Sequence, residues 1–205
     1  MEDQKEVWNR LASRWTHWRS QPENFTIKFA NQWKQGKILD VGCGNGRNLV
    51  PFAKNGFESY GIDFGEEMIK EAKKFVKKQD VAVELKVADA RELPFKDETF
   101  DYCISTAALH HIETNEGREK ALSEINRVLK REGFAFISVW NRLQFRFLFR
   151  PSDTFEPWNT KEETVYRYYH LFNYWEFKNL LEKTGFRIMW SSGILGRNIE
   201  FVVKK

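Results

Sequence analysis

The sequence predicts an α/β protein: an open, mostly parallel sheet of seven strands with helices on both faces and an antiparallel hairpin at its C-terminal end. Three observations carry that expectation. Short apolar runs alternate with amphipathic helical patterns between residues 37 and 140. A glycine loop, "LDVGCGNGRN", follows the first of those runs. Two further apolar runs, "FRIMWSS" and "NIEFVVKK", close the chain around a turn that holds Gly193 and Gly196.

The elements follow in order. Val7, Trp8, Leu11, Trp15 and Trp18 recur at helical spacing, which predicts an amphipathic helix over 5–18. A second helix is expected after Pro22, ending before Gln35-Gly36. "KILDV" is a buried strand, and a helix starts over 46–54. "ESYGIDF" is the second strand, followed by a lysine-rich helix over 66–78 with Met68, Ile69, Ala72 and Val76 inward. "VAVELKVAD" and "FDYCISTAAL" are the third and fourth strands, 117–130 is a helix, and "GFAFISVW" is the fifth strand. The rhythm then breaks over 141–172, a ring- and arginine-rich insertion punctuated by Pro151 and Pro157. It resumes with a helix over 174–183 that stops at Gly185. Residues 1–205 are read as one domain, with the helices of 1–36 over the site and the insertion on its substrate side.

Composition sets limits. No apolar run approaches the ~20 residues of a membrane span, and the acidic opening "MEDQKEVWNR" lacks the apolar core of a secretory signal. A cytoplasmic location is expected. Cys43 and Cys103 cannot build a disulfide framework, and no metal-ligand spacing occurs. The net charge of +4 is compatible with an anionic partner and equally with ordinary surface lysines. Aromatic residues make up 16% of the chain; they serve either as core or as stacking platforms, and composition does not separate the two.

The glycine loop carries the chemistry. Asp40 ends a strand, and Gly42, Gly44 and Gly46 follow at every second position, where a ligand can approach the backbone and the free N–H groups of the next helix. A dinucleotide loop needs G-x-G-x-x-G, but Arg47 or Leu49 stands at the third position, and no G-K-[ST] follows for a Walker loop. D-x-G-x-G-x-G instead resembles class I S-adenosylmethionine-dependent methyltransferases. The resemblance implies S-adenosylmethionine as cofactor. Asp63, at the end of the second strand, would accept the ribose hydroxyls, Asp89 and Ala90 in "ADARELPF" would meet the adenine, and Ser105 would complete the cofactor set. "EINRVLKREGFAFIS" resembles the family's R-x-L-K-x-G-G turn, with Phe134 in place of the second glycine. Singly, Asp63 and Asp89 also read as helix or turn caps; at these spacings together they read as cofactor ligands.

The acceptor side is rich in histidine, arginine and rings. The position of an amine-methylating N-P-P-Y motif reads "STAALHHIET", which argues against that chemistry, and neither cysteine is placed as a cytosine-attacking nucleophile. His110 and His111 lie beyond the fourth strand, and Arg142, Arg146 and Arg150 fall on one face if 142–150 is helical. "VWNRLASRWTHWR", "ALHHIET", "VWNRLQFRF", "DTFEPW" and "YRYYHLF", in this order, resemble the tRNA wobble-uridine carboxymethyl methyltransferases, the Trm9-type enzymes and the methyltransferase domain of the AlkB-fused homologue. That resemblance implies esterification of 5-carboxymethyluridine at position 34 in the anticodon loop of tRNA. Arg19 and Arg167 would grip the carboxylate, with His111 and His170 as the other catalytic candidates. His110, Arg142, Arg146, Tyr168 and Tyr169 would bind substrate. It also implies a small zinc-binding, Trm112-like activator as partner, docked on the edge strand at 83–87. Two alternatives stay open: a small-molecule methyltransferase, and a silent methyltransferase fold that binds RNA.

Overall fold

The computed structural model describes residues 2–160 and 163–205. Helices α1 (Gln4–Trp18) and α2 (Asn24–Gln32) precede an alternating run: β1 (Lys37–Val41), α3 (Val50–Lys54), β2 (Glu58–Asp63), α4 (Glu66–Lys78), β3 (Glu84–Val87), β4 (Phe100–Thr106), α5 (Asn115–Val128) and β5 (Leu129–Trp140). A separate hairpin, β6 (Asp153–Asn159) with β7 (Thr164–His170), fills much of the insertion. Helix α6 (Tyr174–Lys183) and strands β8 (Arg187–Ser191) and β9 (Asn198–Lys204) complete the chain. The main sheet has seven strands in the order β3-β2-β1-β4-β5-β9-β8, parallel from β3 to β5, with β9 antiparallel to both β5 and β8. The expected architecture is the observed one.

Local chemistry explains where the helices start. Asp3 accepts from the Lys5 amide at the head of α1, and Thr114 accepts from Gly117 at the head of α5. Asn173 and Glu176 form a reciprocal capping box on α6. Strand periodicity then splits the interior into two layers. Leu39, Cys103, Ile137 and Phe201 face α5 and α6, where Leu122, Ile125, Phe177 and Leu181 are buried. Their chain neighbours Ile38, Ile104 and Phe136 face the other way, onto Ala30, Phe52, Ile69 and Ala72 of α2, α3 and α4.

Many of the rings are core. Phe25 stacks on Phe136 at 3.8 Å between centroids, and Trp33 stacks on Tyr102 at 4.5 Å. No helix among the described residues is long and apolar enough to cross a membrane.

Three expectations are corrected. Residues 142–150 do not form a helix: a short 3-10 turn at Phe145–Phe147 is flanked by bends, so Arg142, Arg146 and Arg150 share no helical face. The helix expected over 117–130 runs Asn115–Val128, because Leu129 already pairs with Phe100 as sheet. The third strand is only Glu84–Val87, shorter than expected, while its place at the sheet edge is the expected one.

Leu122 is fully buried in the α5 layer. Leu122→Ala is expected to lower stability by about 2–5 kcal/mol, read as a reduced urea midpoint with an unchanged slope.

Candidate functional site

The parallel strands end on one side of the sheet, and a cavity of about 1000 Å³ opens there, at the upper end of the range usual for small-molecule sites. Its floor is the glycine loop. Gly42 adopts φ +77°, and a side chain there would come within 2.3 Å of the Ala108 Cβ, so only glycine fits. Gly44 (φ +55°) lies beneath Trp15 of α1, whose ring would be 3.2 Å from an added Cβ. Gly46 does not line the cavity; it turns the chain into the helix and packs toward Val76.

Asp63, at the end of β2, lines the cavity. Its two oxygens each accept a backbone N–H at 3.0 Å, from Gly44 and Gly65. Burial raises its carboxyl to about 6, against these amide bonds, which favour the charged form. Each oxygen keeps a further lone pair, so the group can still accept two hydroxyls. Ala88, Asp89, Ala90 and the apolar Ile62, Phe64 and Met68 continue the wall as a slot suited to a flat ring. Asp89 is held by Arg91, which donates to it through Nε and Nη2 (2.6 Å) and keeps its carboxyl below the ordinary value. These residues fit the expected cofactor.

Asp40 stands behind the loop rather than on the cavity wall. Neither of its buried oxygens has a hydrogen-bond partner, and burial pushes its carboxyl up to about 8, with Arg47 opposing.

The far end of the cavity is built from the insertion. Arg167 on β7 is 9% exposed; its Nη1 donates to the Tyr169 hydroxyl at 2.8 Å, and its Nε has no partner. Its guanidinium lies 4.8 Å from the Trp158 ring centre and 5.9 Å from that of Trp8. No carboxylate among the described residues pairs with it. His110 is fully buried, and its Nδ1 accepts from the Trp140 amide at 3.2 Å. Its Nε2 therefore carries the proton of the neutral ring, and that donor is unsatisfied. His111 donates from Nδ1 to the Tyr168 carbonyl at 2.9 Å, which leaves Nε2 as an acceptor. Burial pushes the His110 imidazole well below its ordinary value and that of His111 to about 3, so both stay neutral. Tyr169, raised to about 12 by burial, stays protonated and stacks on Trp140 at 4.1 Å.

The structure thus gathers Arg19, Gly42, Gly44, Asp63, Asp89, Ala90, His110, His111, Arg167 and Tyr169 around one cavity. The other expected site residues lie elsewhere. Ser105 is buried and donates to the Val41 carbonyl at 3.0 Å, tying β4 to β1. His170 is clamped between Asp153 (2.8 Å) and Glu176 (2.6 Å) and does not reach the cavity. Tyr168 turns its hydroxyl to Asp153, Arg118 and the Glu113 carbonyl. Arg142 donates to Ser152 at 2.9 Å, and Arg146 lies over Trp140. His170 and Tyr168 alternate with Arg167 and Tyr169 along β7, so the strand's pleat sends the two pairs apart.

The rings and the arginine that roof the site were not expected there. Trp8, Trp15, Trp140 and Arg47 all line the cavity; the helices of 1–36 were expected over the site, but these side chains were not among the expected site residues. Ala107 was also unremarked; it follows β4 in the left-handed region (φ 52°), a strained turn at the site.

In the ligand-free chain, Asp40 keeps its proton to about pH 8 when folded and loses it near pH 4 when unfolded. The folded state binds more protons across that window, so stability falls as pH rises through it, by at most about 1.4 kcal/mol per pH unit for this proton. Asp63 acts with the same sign up to about pH 6. Asp40→Asn should flatten the decline, seen by comparing urea midpoints at pH 5 and pH 8.

Residues 39–137 match the methyltransferase domain family. A protein of Encephalitozoon cuniculi named as a methyltransferase is 31% identical over 188 residues, covering 87% of this chain and 81% of that protein. The tRNA (carboxymethyluridine(34)-5-O)-methyltransferase of Arabidopsis thaliana is 42% identical over 50% of this chain but only 24% of its own length. The enzyme of the same name from Schizosaccharomyces pombe is 27% identical, over 90% of this chain and 88% of its own. Among solved structures, an S-adenosylmethionine-dependent methyltransferase of Clostridium acetobutylicum superposes with a TM-score of 0.75 at 14% identity, covering 97% of this chain and 98% of that one. With the sheet order, the glycine loop and the Asp63 acceptor all in place, the chain belongs to the class I S-adenosylmethionine-dependent methyltransferases.

Proposed function

We propose that this enzyme methylates the carboxylate of 5-carboxymethyluridine at the wobble position of tRNA, forming 5-methoxycarbonylmethyluridine. The observation that carries the reading is Arg167, a buried guanidinium in the cavity with an unpartnered Nε and, among the described residues, no carboxylate in ion-pair contact, Glu156 acting on it only from further off and being paired to Arg150. A buried charge without a counter-ion is costly, and an anionic guest supplies what is missing. The names of the Arabidopsis and fission-yeast relatives point to the same acceptor.

The chemistry asks little of the protein in proton transfer. A carboxylate is ionised at neutral pH, so its oxygen attacks without a general base. S-adenosylmethionine, held by Asp63, Asp89 and the backbone at Gly42 and Gly44, would supply an electrophilic methyl group for the carboxylate oxygen and leave as the neutral thioether. Neutral His110 and His111 are consistent with this, since neither is needed as a base. Arg167 holds one carboxylate oxygen through its fork, and Tyr169 fixes that fork. The Nε2–H of His110 is a second donor for the acid or the uracil edge. Arg19 stands at the exposed rim, where it meets the approaching phosphates. Most of the rate then comes from placement, for which effective molarities of about 10⁵ M or more are attainable.

The same reading includes a small zinc-binding activator as partner, added to the free edge of β3, and a cytoplasmic location. Only Leu85 of β3 is buried, so its outer edge offers backbone groups for strand addition.

Two outcomes test these proposals. Arg167→Ala should lower kcat/KM for carboxymethyluridine-containing tRNA by about 100-fold or more, the scale of a lost buried charge-assisted contact, with Arg167→Lys intermediate and cofactor affinity unchanged. Mass spectrometry of the tRNA nucleosides reads the ester; undiminished ester formation removes Arg167 from its role. Adding the activator should raise cofactor affinity at least severalfold by calorimetry. A chain equally active alone rejects the partner.

A further inference from the structure

We propose that the exposed rings of the 141–149 loop form a stacking platform for the unpaired nucleotides beside the methylated base. The inference rests on the tRNA reading above and concerns the surface outside the cavity. Phe149 is 100% exposed, Phe145 91%, and Leu195 on the neighbouring turn 79%. Large apolar side chains left this exposed on one short loop and its neighbouring turn mark a candidate interaction surface.

The platform stands on a fixed base. Phe147, between the two exposed rings in sequence, is fully buried and stacks on Trp140 at 5.6 Å. The Asn141 side chain donates to the carbonyls of Ile194 and Gly196, both at 2.9 Å, and Gln144 donates to the Arg197 carbonyl at 2.7 Å. The loop and the β8–β9 turn are therefore one unit, and the protruding rings are not the product of a slack segment. A ring held out rigidly loses little conformational entropy when something covers it.

Charge narrows the occupant. Residues 141–150 hold three arginines and no acid, and 192–197 hold Arg197 and no acid. Arg150 is tied to Glu156, but the guanidinium of Arg146 rests on the faces of Trp140 and Phe147, at 4.6 and 4.3 Å. Exposed rings among arginines fit a chain with flat apolar faces and regular negative charge, which describes single-stranded RNA. Position decides between RNA and an anionic membrane. Trp140 and Arg197, which border the loop and the turn, also line the cavity, so the segments that carry the rings reach its rim. A strand with one base inside lays its neighbours on these rings.

The test compares the full chain with Phe145→Ala/Phe149→Ala and with Phe145→Trp/Phe149→Trp, using a 17-nucleotide anticodon stem-loop carrying 5-carboxymethyluridine and fluorescence anisotropy. The alanine pair should weaken binding about tenfold or more, and the tryptophan pair should restore it. Thermal melting and S-adenosylmethionine affinity should not change in either. Unchanged RNA binding by the alanine pair overturns the platform and leaves the methyltransferase reading intact. A wild-type chain that neither binds nor methylates the stem-loop overturns both. Sedimentation with phosphatidylserine vesicles that only the alanine pair loses, with RNA binding unaltered, assigns the patch to lipid and also overturns the proposal.

Discussion

The carboxylate of Asp63 is the point on which the site depends. By accepting from Gly44 and Gly65 it joins the loop after β1 to the turn that starts α4. Those two amides belong to segments that would otherwise need other partners, since buried N–H groups are rarely left unpaired. The bonds also hold a charge in a buried place, where burial alone would drive the acid toward its neutral form. A carboxylate satisfied on one side by backbone remains able to accept on the other. The glycines follow from this geometry: Gly42 must pass Ala108, and Gly44 must pass Trp15, with no room for a Cβ at the first and little at the second.

At the other end of the cavity the constraint is reversed. Asp63 is an acid stabilised by donors already in place, whereas Arg167 is a cation in a nearly dry site that touches a phenol hydroxyl and ring faces, with the Glu156 carboxylate, already paired to Arg150, acting on it only from further off. Ring faces offset part of the desolvation, about 0.5–2 kcal/mol for a good contact, but they do not neutralise the charge. On the proposed reading, a carboxylate acceptor would compensate Arg167 where a neutral or cationic one would not, a difference that would favour acids over amides of the same shape.

How much of this was legible in the sequence depended on range. The glycine loop, Asp63 and the strand–helix alternation are local patterns, and the structure follows them to within a few residues. The insertion was legible in composition but not in conformation. Arginines at 142, 146 and 150 fit a helix by spacing, yet the buried Phe147 and the side-chain bonds of Asn141 pull the segment into turns. "YRYYH" read as a substrate face from Arg167 to His170; the pleat of β7 sends Arg167 and Tyr169 to the cavity and leaves Tyr168 and His170 to Asp153. No spacing rule could have shown that Asp153 and Glu176 would clamp His170, because the partners come from β6 and α6. The rings of α2 illustrate the same limit: their number was visible, and their stacking on the sheet was not.

Helix α1 makes these two ends one site. Trp15 lies on Gly44 at the cofactor loop, and Trp8 meets the His111 ring edge-on at 4.7 Å near the acceptor end. At its start, Gln4 accepts from the Tyr168 amide at 2.7 Å and donates to the Tyr166 carbonyl, so the helix is pinned to the strand that carries Arg167. Its links to α4, through Lys5 and Asn9 to Glu66, are exposed and worth little individually. The buried apolar contacts of Val7 and Leu11 with Val165, and of Trp8 and Ala12 with Met68, therefore do most of the seating. Because one rigid element covers both the loop and the guanidinium, a disturbance that unseats it opens both ends together. The dry environment around Arg167 is thus a property of the assembled roof, and no single residue of β7 could create it alone.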